Sequence, residues 1–367
     1  MSILDSLTEN QRKSLEEAMG IMNQVYGDEI EIDPEIYANE HYGNPFRVSE
    51  PFSITWEDDK PAGLSAFIGM KLIYDKRVMN VAQAVDGAVA PHARGKGHYS
   101  KAFKAFEEGN KECDFIIGLP NKNSYPRLLH YGYNKVVWLC HYVYPTAPWG
   151  FVFGEGKITK ILDKGFRGFC SLKNLKPGDN EELELFPVIS YSELDKDNIK
   201  KELKKFMVPI SDAEISRLWA ESMCHFMHTS DIYRWKFSYN PDTRFFWSVL
   251  RTRTGSLMGY ALCHLRKKAK GYMVIIDDYH TEARDNDEKL RICRLLFSKF
   301  IDLGGLMEVP FVNDETEDGY ILKKLHFRNA TNMPFGLRGG PLIVSANCRY
   351  RKQMEGCEFR NIDSDVL

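Results

Sequence analysis

The sequence predicts an α/β protein in which one mixed-sheet unit is built twice. Elements follow in the order helix, strands, glycine loop, helix, strand, helix and strand over residues 1–150, and a similar order restarts at Ser211. Residues also recur at a fixed spacing: Ile36, Tyr37, Asn44, Pro45 and Gly63 return as Ile232, Tyr233, Asn240, Pro241 and Gly259, each 196 positions later. Asn121 meets Asn313 at 192, and Gly132-Tyr133 meets His326-Phe327 at 194. Several identities on one offset favour duplication over chance. The division expected is 1–150 and 206–367, with 151–205 as a glycine-bearing connection that carries some strands of its own.

Each element has its own signal. Thr8 caps a helix whose apolar positions Leu15, Ala18, Met19, Met22 and Val25 fall at three-and-four spacing, with Gly27 past its end. Pro51 to Trp56 and Gly63 to Tyr74 read as a hairpin across the polar Glu57 to Lys60. Val81 to Val89 is a strand, a helix runs from near Ser100 to near Lys111, and Phe115 to Leu119 is a buried strand. A short helix at Tyr125 to His130 and the aromatic strand Val136 to Tyr144 complete the first half. In the second half Ile215 to Phe226 reads as helical, and Phe245 to Leu250 with Met258 to Leu265 as a hairpin. Tyr272 to Ile276 follows as a strand, Glu288 to Leu303 as a helix, Leu306 to Val312 as a strand, Tyr320 to Leu325 as a helix and Pro341 to Ala346 as a strand. The aromatics Tyr233, Trp235, Phe237 and Tyr239 alternate and suit a half-buried sheet better than a sugar-stacking surface.

Composition narrows the function classes. With 367 residues, 43% hydrophobic and 13% aromatic, the chain can fill two cores. A net charge of −2 with interspersed signs carries no nucleic-acid or membrane footprint. The basic run Arg266 to Lys270 beside Gly271 reads as a solvated hairpin turn. Eight scattered cysteines, without metal-ligand spacing, fit reduced thiols and a cytoplasmic location, and no apolar run reaches membrane-spanning length. Asp277 and Asp278 form a pair without a third ligand, so no metal is expected.

The stretch Ala84 to Tyr99 carries the chemistry. A strand leads through Pro91 into a turn with Gly95 and Gly97 and then into a helix, with Arg94 and Lys96 adding positive charge. Such a turn cradles a pyrophosphate through backbone N–H groups and the helix dipole, or is an ordinary turn with solvated basic residues. Arg94-Gly95-Lys96-Gly97-His98-Tyr99 resembles the acyl-CoA pyrophosphate motif of the GNAT N-acetyltransferase superfamily: Arg or Gln, two residues, Gly, one residue, then Gly or Ala. Val89-Ala90-Pro91 before it, Asn121 after the next strand and Tyr131-Gly132-Tyr133 stand in matching places. More loosely, the whole chain resembles tandem GNAT proteins.

The resemblance implies two tandem GNAT-like domains, each a mixed, largely antiparallel sheet flanked by helices. It further implies acetyl-CoA as cosubstrate of the N-terminal copy and a primary amine of a small molecule, an amino sugar on the looser likeness, as acceptor. The thioester carbonyl would meet the backbone of Gly87, Ala88 and Val89, and the pyrophosphate would meet Arg94, Gly95, Lys96, Gly97, His98 and Tyr99. Asn121 and Ser124 would hold the pantetheine arm. Asp86, a carboxylate in an apolar strand, is the favoured base for direct attack in a ternary complex. The place of the family's acid tyrosine falls on Leu128, so proton delivery would need another group, such as Tyr125, Tyr131 or water. Tyr99 also departs from the motif, which has Gly or Ala there. The second half carries acids at Asp277 to Glu282 in place of the loop, and these would repel CoA. The competing readings are a CoA-binding scaffold and a Fem-like aminoacyl transferase, the latter disfavoured by the absence of a basic patch.

Overall fold

The computed structural model describes residues 2–27, 32–47, 49–110, 112–154, 156–168, 170–188, 208–240, 243–331 and 339–363. Pro241 and Lys111 lie outside these residues, and the helix expected to end near Lys111 ends at Gly109.

One 13-stranded sheet runs through both halves. Its strands are β1 (Phe52–Glu57), β2 (Lys60–Tyr74), β3 (Arg77–Val89), β4 (Phe115–Gly118), β5 (Asn134–Pro145), β6 (Glu181–Pro187) and β7 (Cys224–Phe226). The rest are β8 (Arg244–Thr252), β9 (Leu257–Lys268), β10 (Gly271–Thr281), β11 (Leu306–Asn313), β12 (Arg328–Asn329) and β13 (Gly340–Val344). Their order is β1-β2-β3-β4-β13-β5-β11-β10-β9-β8-β6, with β7 on β2 and β12 on β5. Pairing is antiparallel except for β3 with β4 and β10 with β11. β13, from late in the chain, lies between β4 and β5, and β5 in turn pairs with β11. Each half therefore completes the other's sheet.

The duplication extends to single residues. Helix Glu9–Tyr26 begins with a capping box at Thr8 and Gln11. With Pro34–His41 it covers one face of β1 to β3, and helix His98–Gly109 covers the other. Gly63 lets that helix approach closely, since a Cβ there would stand 2.8 Å from the Cβ of His98. Gly259 does the same under helix Asn286–Ser298, where a Cβ would meet Ile292 at 3.0 Å. Gly132 (φ 89°) and His326 (φ 68°) both turn left-handed at a helix end, so that Tyr133 N donates to Leu128 O and Phe327 N to Leu322 O.

Four expectations are corrected. Residues Tyr233 to Tyr239 belong to helix Ser230–Ser238 and its cap rather than to a strand, and their rings are buried. Cys224–Phe226 leaves the preceding helix, which ends at Trp219, and pairs with β2. Among the described residues the connection carries two helices, Pro148–Phe153 and Lys157–Gly168, beside strand β6, because five glycines between 150 and 168 dilute the helical signal. Asp277 to Thr281 continue β10 and are buried, not a loop beyond it.

Candidate functional site

The site begins where β3 and β4 part. Their parallel ladder ends at Ala84 and Gly118, and β3 continues alone on that side to Val89. Just past the divergence β3 carries a bulge: Ala84 pairs with Phe67 and Gly87 with Ser65, so one residue more is used on β3 than on β2. Val85 and Asp86 sit on that bulge, half-buried, and Gly87 is exposed.

The turn that follows is shaped by glycine. Gly95 (φ 80°) and Gly97 (φ 79°) are both left-handed, and Gly97 is the N-cap of helix His98–Gly109. Arg94 and Lys96 are exposed, and Lys96 Nζ donates to Glu57 Oε1 at 2.8 Å. That hydrogen bond lowers the Glu57 pKa, so a carboxylate shares the ammonium at this turn. The His98 side chain points inward to Thr55 Oγ1 at 3.0 Å and offers only its backbone N–H outward.

Tyr99, where the motif has Gly or Ala, lies over Gly87: a Cβ on Gly87 would stand 2.5 Å from Tyr99 Cε2. Bulk on the helix is matched by the missing side chain on the strand. Burial raises the Tyr99 phenol to about 12, with a contribution from Tyr131.

Asp86 is held by groups that its own neighbourhood in sequence does not reveal. Tyr37 Oη donates to Asp86 Oδ2 at 3.0 Å, and His41 Nε2 lies 3.7 Å from the same oxygen. Burial opposes charging of His41, but the Asp86 and Glu40 carboxylates outweigh it and raise the imidazole pKa. The recurrence of Tyr37 at Tyr233 was the one available signal for this pair.

The remaining expected residues fall into two groups. Asn121 Oδ1 accepts from Asn123 N and Ser124 N, so it closes the turn that starts helix Tyr125–His130. Asn121 and Tyr125 line a cavity of about 1290 Å³ together with Trp138, Cys140, Phe311 and Gly340, which brings both halves to one space. Tyr131 lies apart from that cavity's lining, and its hydroxyl meets Ser100 in the first turn of helix His98–Gly109. Leu128 is buried in the core.

The equivalent place in the second half has the same backbone and different contents. The β10/β11 ladder ends at Ile275 and Glu308, and β10 bulges between Ile276 and Asp278. Asp278 stands 192 positions after Asp86 and takes hydrogen bonds from Tyr233 and Tyr260, with His228 Nδ1 at 3.1 Å. Arg360, Asn361 and Ile362 lie across this gap. Arg360 Nη1 donates to Asp318 at 2.6 Å and Nε to the Tyr279 carbonyl at 3.4 Å, and Asn361 Nδ2 donates to Asp277 at 2.6 Å. Burial opposes charge on Asp278, yet His228 and Arg360 hold its pKa below the usual carboxylate value. The Asp86 side chain is 29% exposed, whereas that of Asp278 is 0% exposed.

No protein-family model and no curated protein sequence matches the chain. Solved structures do. A GCN5-related N-acetyltransferase from Anabaena variabilis is 14% identical, with a TM-score of 0.54 over 93% of this chain and 72% of that one. A probable N-acyltransferase from Enterococcus faecalis is 11% identical, with a TM-score of 0.55 over 91% and 70%. Saccharomyces cerevisiae N-myristoyltransferase with bound myristoyl-CoA is 12% identical, with a TM-score of 0.50 over 91% and 76%. Together with the repeated bulge, parting strands and left-handed helix ends, these likenesses show that the chain has the GNAT fold, laid down twice in one polypeptide.

Proposed function

We propose that the N-terminal copy binds acetyl-CoA and transfers its acetyl group to a primary amine of a small molecule. The observation that carries this is the open divergence of β3 from β4, bulged at Val85 and Asp86 and followed by two left-handed glycines at a helix N-terminus. Backbone N–H groups of Gly95 to Tyr99, with Arg94, receive the pyrophosphate. Gly87 to Val89 polarise the thioester carbonyl, and Asn121 with Ser124 orients the pantetheine arm.

The neutral amine attacks the carbonyl carbon in a ternary complex and the carbon–sulfur bond breaks. Tyr37 already occupies Asp86 Oδ2, so the amine proton goes to Oδ1. The departing thiolate takes a proton from Tyr125 or Tyr131; Tyr125 is favoured because it lines the large cavity. Amino sugars are the first acceptors to try.

Acetyl-CoA is expected to raise the melting temperature, and no shift at millimolar ligand overturns the reading. Release of CoA thiol with a panel of amines separates an enzyme from a CoA-binding scaffold. Asp86→Asn is expected to cut turnover by about 10²- to 10⁴-fold while leaving acetyl-CoA binding unchanged. Unchanged turnover removes Asp86 as base.

A further inference from the structure

The helices Pro148–Phe153 and Lys157–Gly168 form a hairpin outside both candidate gaps, and it is built inside out. In the second helix Asp163 and Thr159 face inward, whereas Lys157, Lys160 and Lys164 are exposed. Asp163 is buried and accepts from Trp149 N at 3.0 Å and Gly150 N at 2.8 Å, and Thr159 Oγ1 donates to Gly154 O at 3.0 Å. The apolar stripe Ile158, Ile161 and Leu162, at three-and-four spacing, faces out. Ile158 and Ile161 are 74% and 71% exposed, and Phe153 on the first helix is 65% exposed. Trp149 and Phe153, one turn apart, stack at 6.1 Å beside them.

The charge along this segment is mostly positive: residues 154–168 hold Lys157, Lys160, Lys164 and Arg167 against Glu155 and Asp163. Helix Lys157–Gly168 carries Lys157, Lys160, Lys164 and Arg167, and its one acid, Asp163, is spent on the first helix's backbone. The basic turn between β9 and β10 abuts the same hairpin, where Lys270 Nζ donates to Val152 O at 3.0 Å and Lys268 lines a cavity shared with Phe151 and Val152. Arg167 and Lys173 pair with Asp302 at the hairpin's base. This cationic edge belongs to a chain whose net charge is −2.

We propose that this hairpin docks the protein on an anionic membrane surface, with Phe153, Ile158, Ile161 and Leu162 in the acyl boundary and the lysines among the headgroups. Exposed aromatic and branched aliphatic side chains flanked by lysine are what an interfacial helix requires. A second copy of the chain fits poorly, because a two-fold contact would set like charges against each other. No helix among the described residues is long and apolar enough to cross a bilayer, which suits a surface contact.

The test is co-sedimentation of the full chain with phosphatidylcholine vesicles, with and without phosphatidylglycerol. Binding is expected to the mixed vesicles, to fall with added salt, and to drop at least about tenfold in Ile158→Glu/Ile161→Glu and in Lys157→Glu/Lys164→Glu. These positions are exposed, and circular dichroism checks that each variant folds. Equal partitioning of wild type and variants overturns the proposal, as does equal binding to both vesicle types. A wild-type dimer without lipid that Ile158→Glu/Ile161→Glu converts to monomer assigns the face to self-association instead.

Discussion

The two gaps in the sheet share a backbone and differ in what occupies them. Both sit where a parallel ladder ends, both follow a one-residue bulge, and both place an aspartate against a tyrosine hydroxyl from a helix on the same side. In the first half the strand edge beyond the bulge is partly open, with Gly87 at its surface. In the second, Tyr279 replaces that glycine, the aspartates are enclosed, and Arg360 joins Tyr279 to Asp318. The comparison teaches that the bulged, parted strands are a template, and that what stands in the gap decides between an open strand edge and a filled core.

The largest effect is expected from removing the plug. Arg360→Ala removes the buried guanidinium that Asp318 and Asp278 share and is expected to cost about 3 to 5 kcal/mol in denaturant unfolding. The variant should gain no second equivalent of acetyl-CoA in calorimetry, since the acids remain. A second equivalent would show that the plug alone separates the halves.

His41 in the first half is shifted in the opposite direction from His225 and His280 in the second. Burial lowers His280 and His225 to about 4, Arg360 adding to the effect at His280 and His228 at His225. The unfolded chain binds these protons near its ordinary value of about 6.5, so stability is full above that pH and is lost as pH falls toward 4. For His280 the loss is on the order of 3 kcal/mol. His41 is raised, so its contribution is present below its unfolded value and lost as pH rises through its folded one. Unfolding midpoints across pH should therefore show an acid limb that His280→Gln flattens and His41→Gln does not.

The smallest effect sharpens the comparison at Gly87. Gly87→Ala drives a methyl into Tyr99 and is expected to weaken acetyl-CoA binding roughly tenfold, about 1 to 2 kcal/mol. Adding Tyr99→Ala should restore most of it. Wild-type affinity in Gly87→Ala would mean that the ring position does not shape the cradle.

Much of this was legible in the sequence, for local reasons. The Thr8 cap, the paired glycines at 95 and 97, and the recurrences at Tyr233, Gly259 and Phe327 are all written in short windows or fixed offsets. What stayed hidden depends on partners far along the chain. Nothing near Gly340 announces that its strand slips between β4 and β5, and nothing near Asp86 names Tyr37 and His41 as its neighbours. The hairpin at 148–168 escaped for another reason. Its apolar stripe faces outward and its glycines interrupt the period, while charge summed over the whole chain hides the local lysines.

The place of β13 has a consequence for synthesis. Strand β4 reaches β5 only through residues 340–344, so the sheet begun by the first half stays unclosed while the whole second half is being made. During that interval the flanks of β4 and β5 present unpaired backbone and apolar surface, the condition under which nascent chains call on chaperones. The sheet of the first half thus closes only after residues 340–344 have been made, and the strand that closes it comes from the second half.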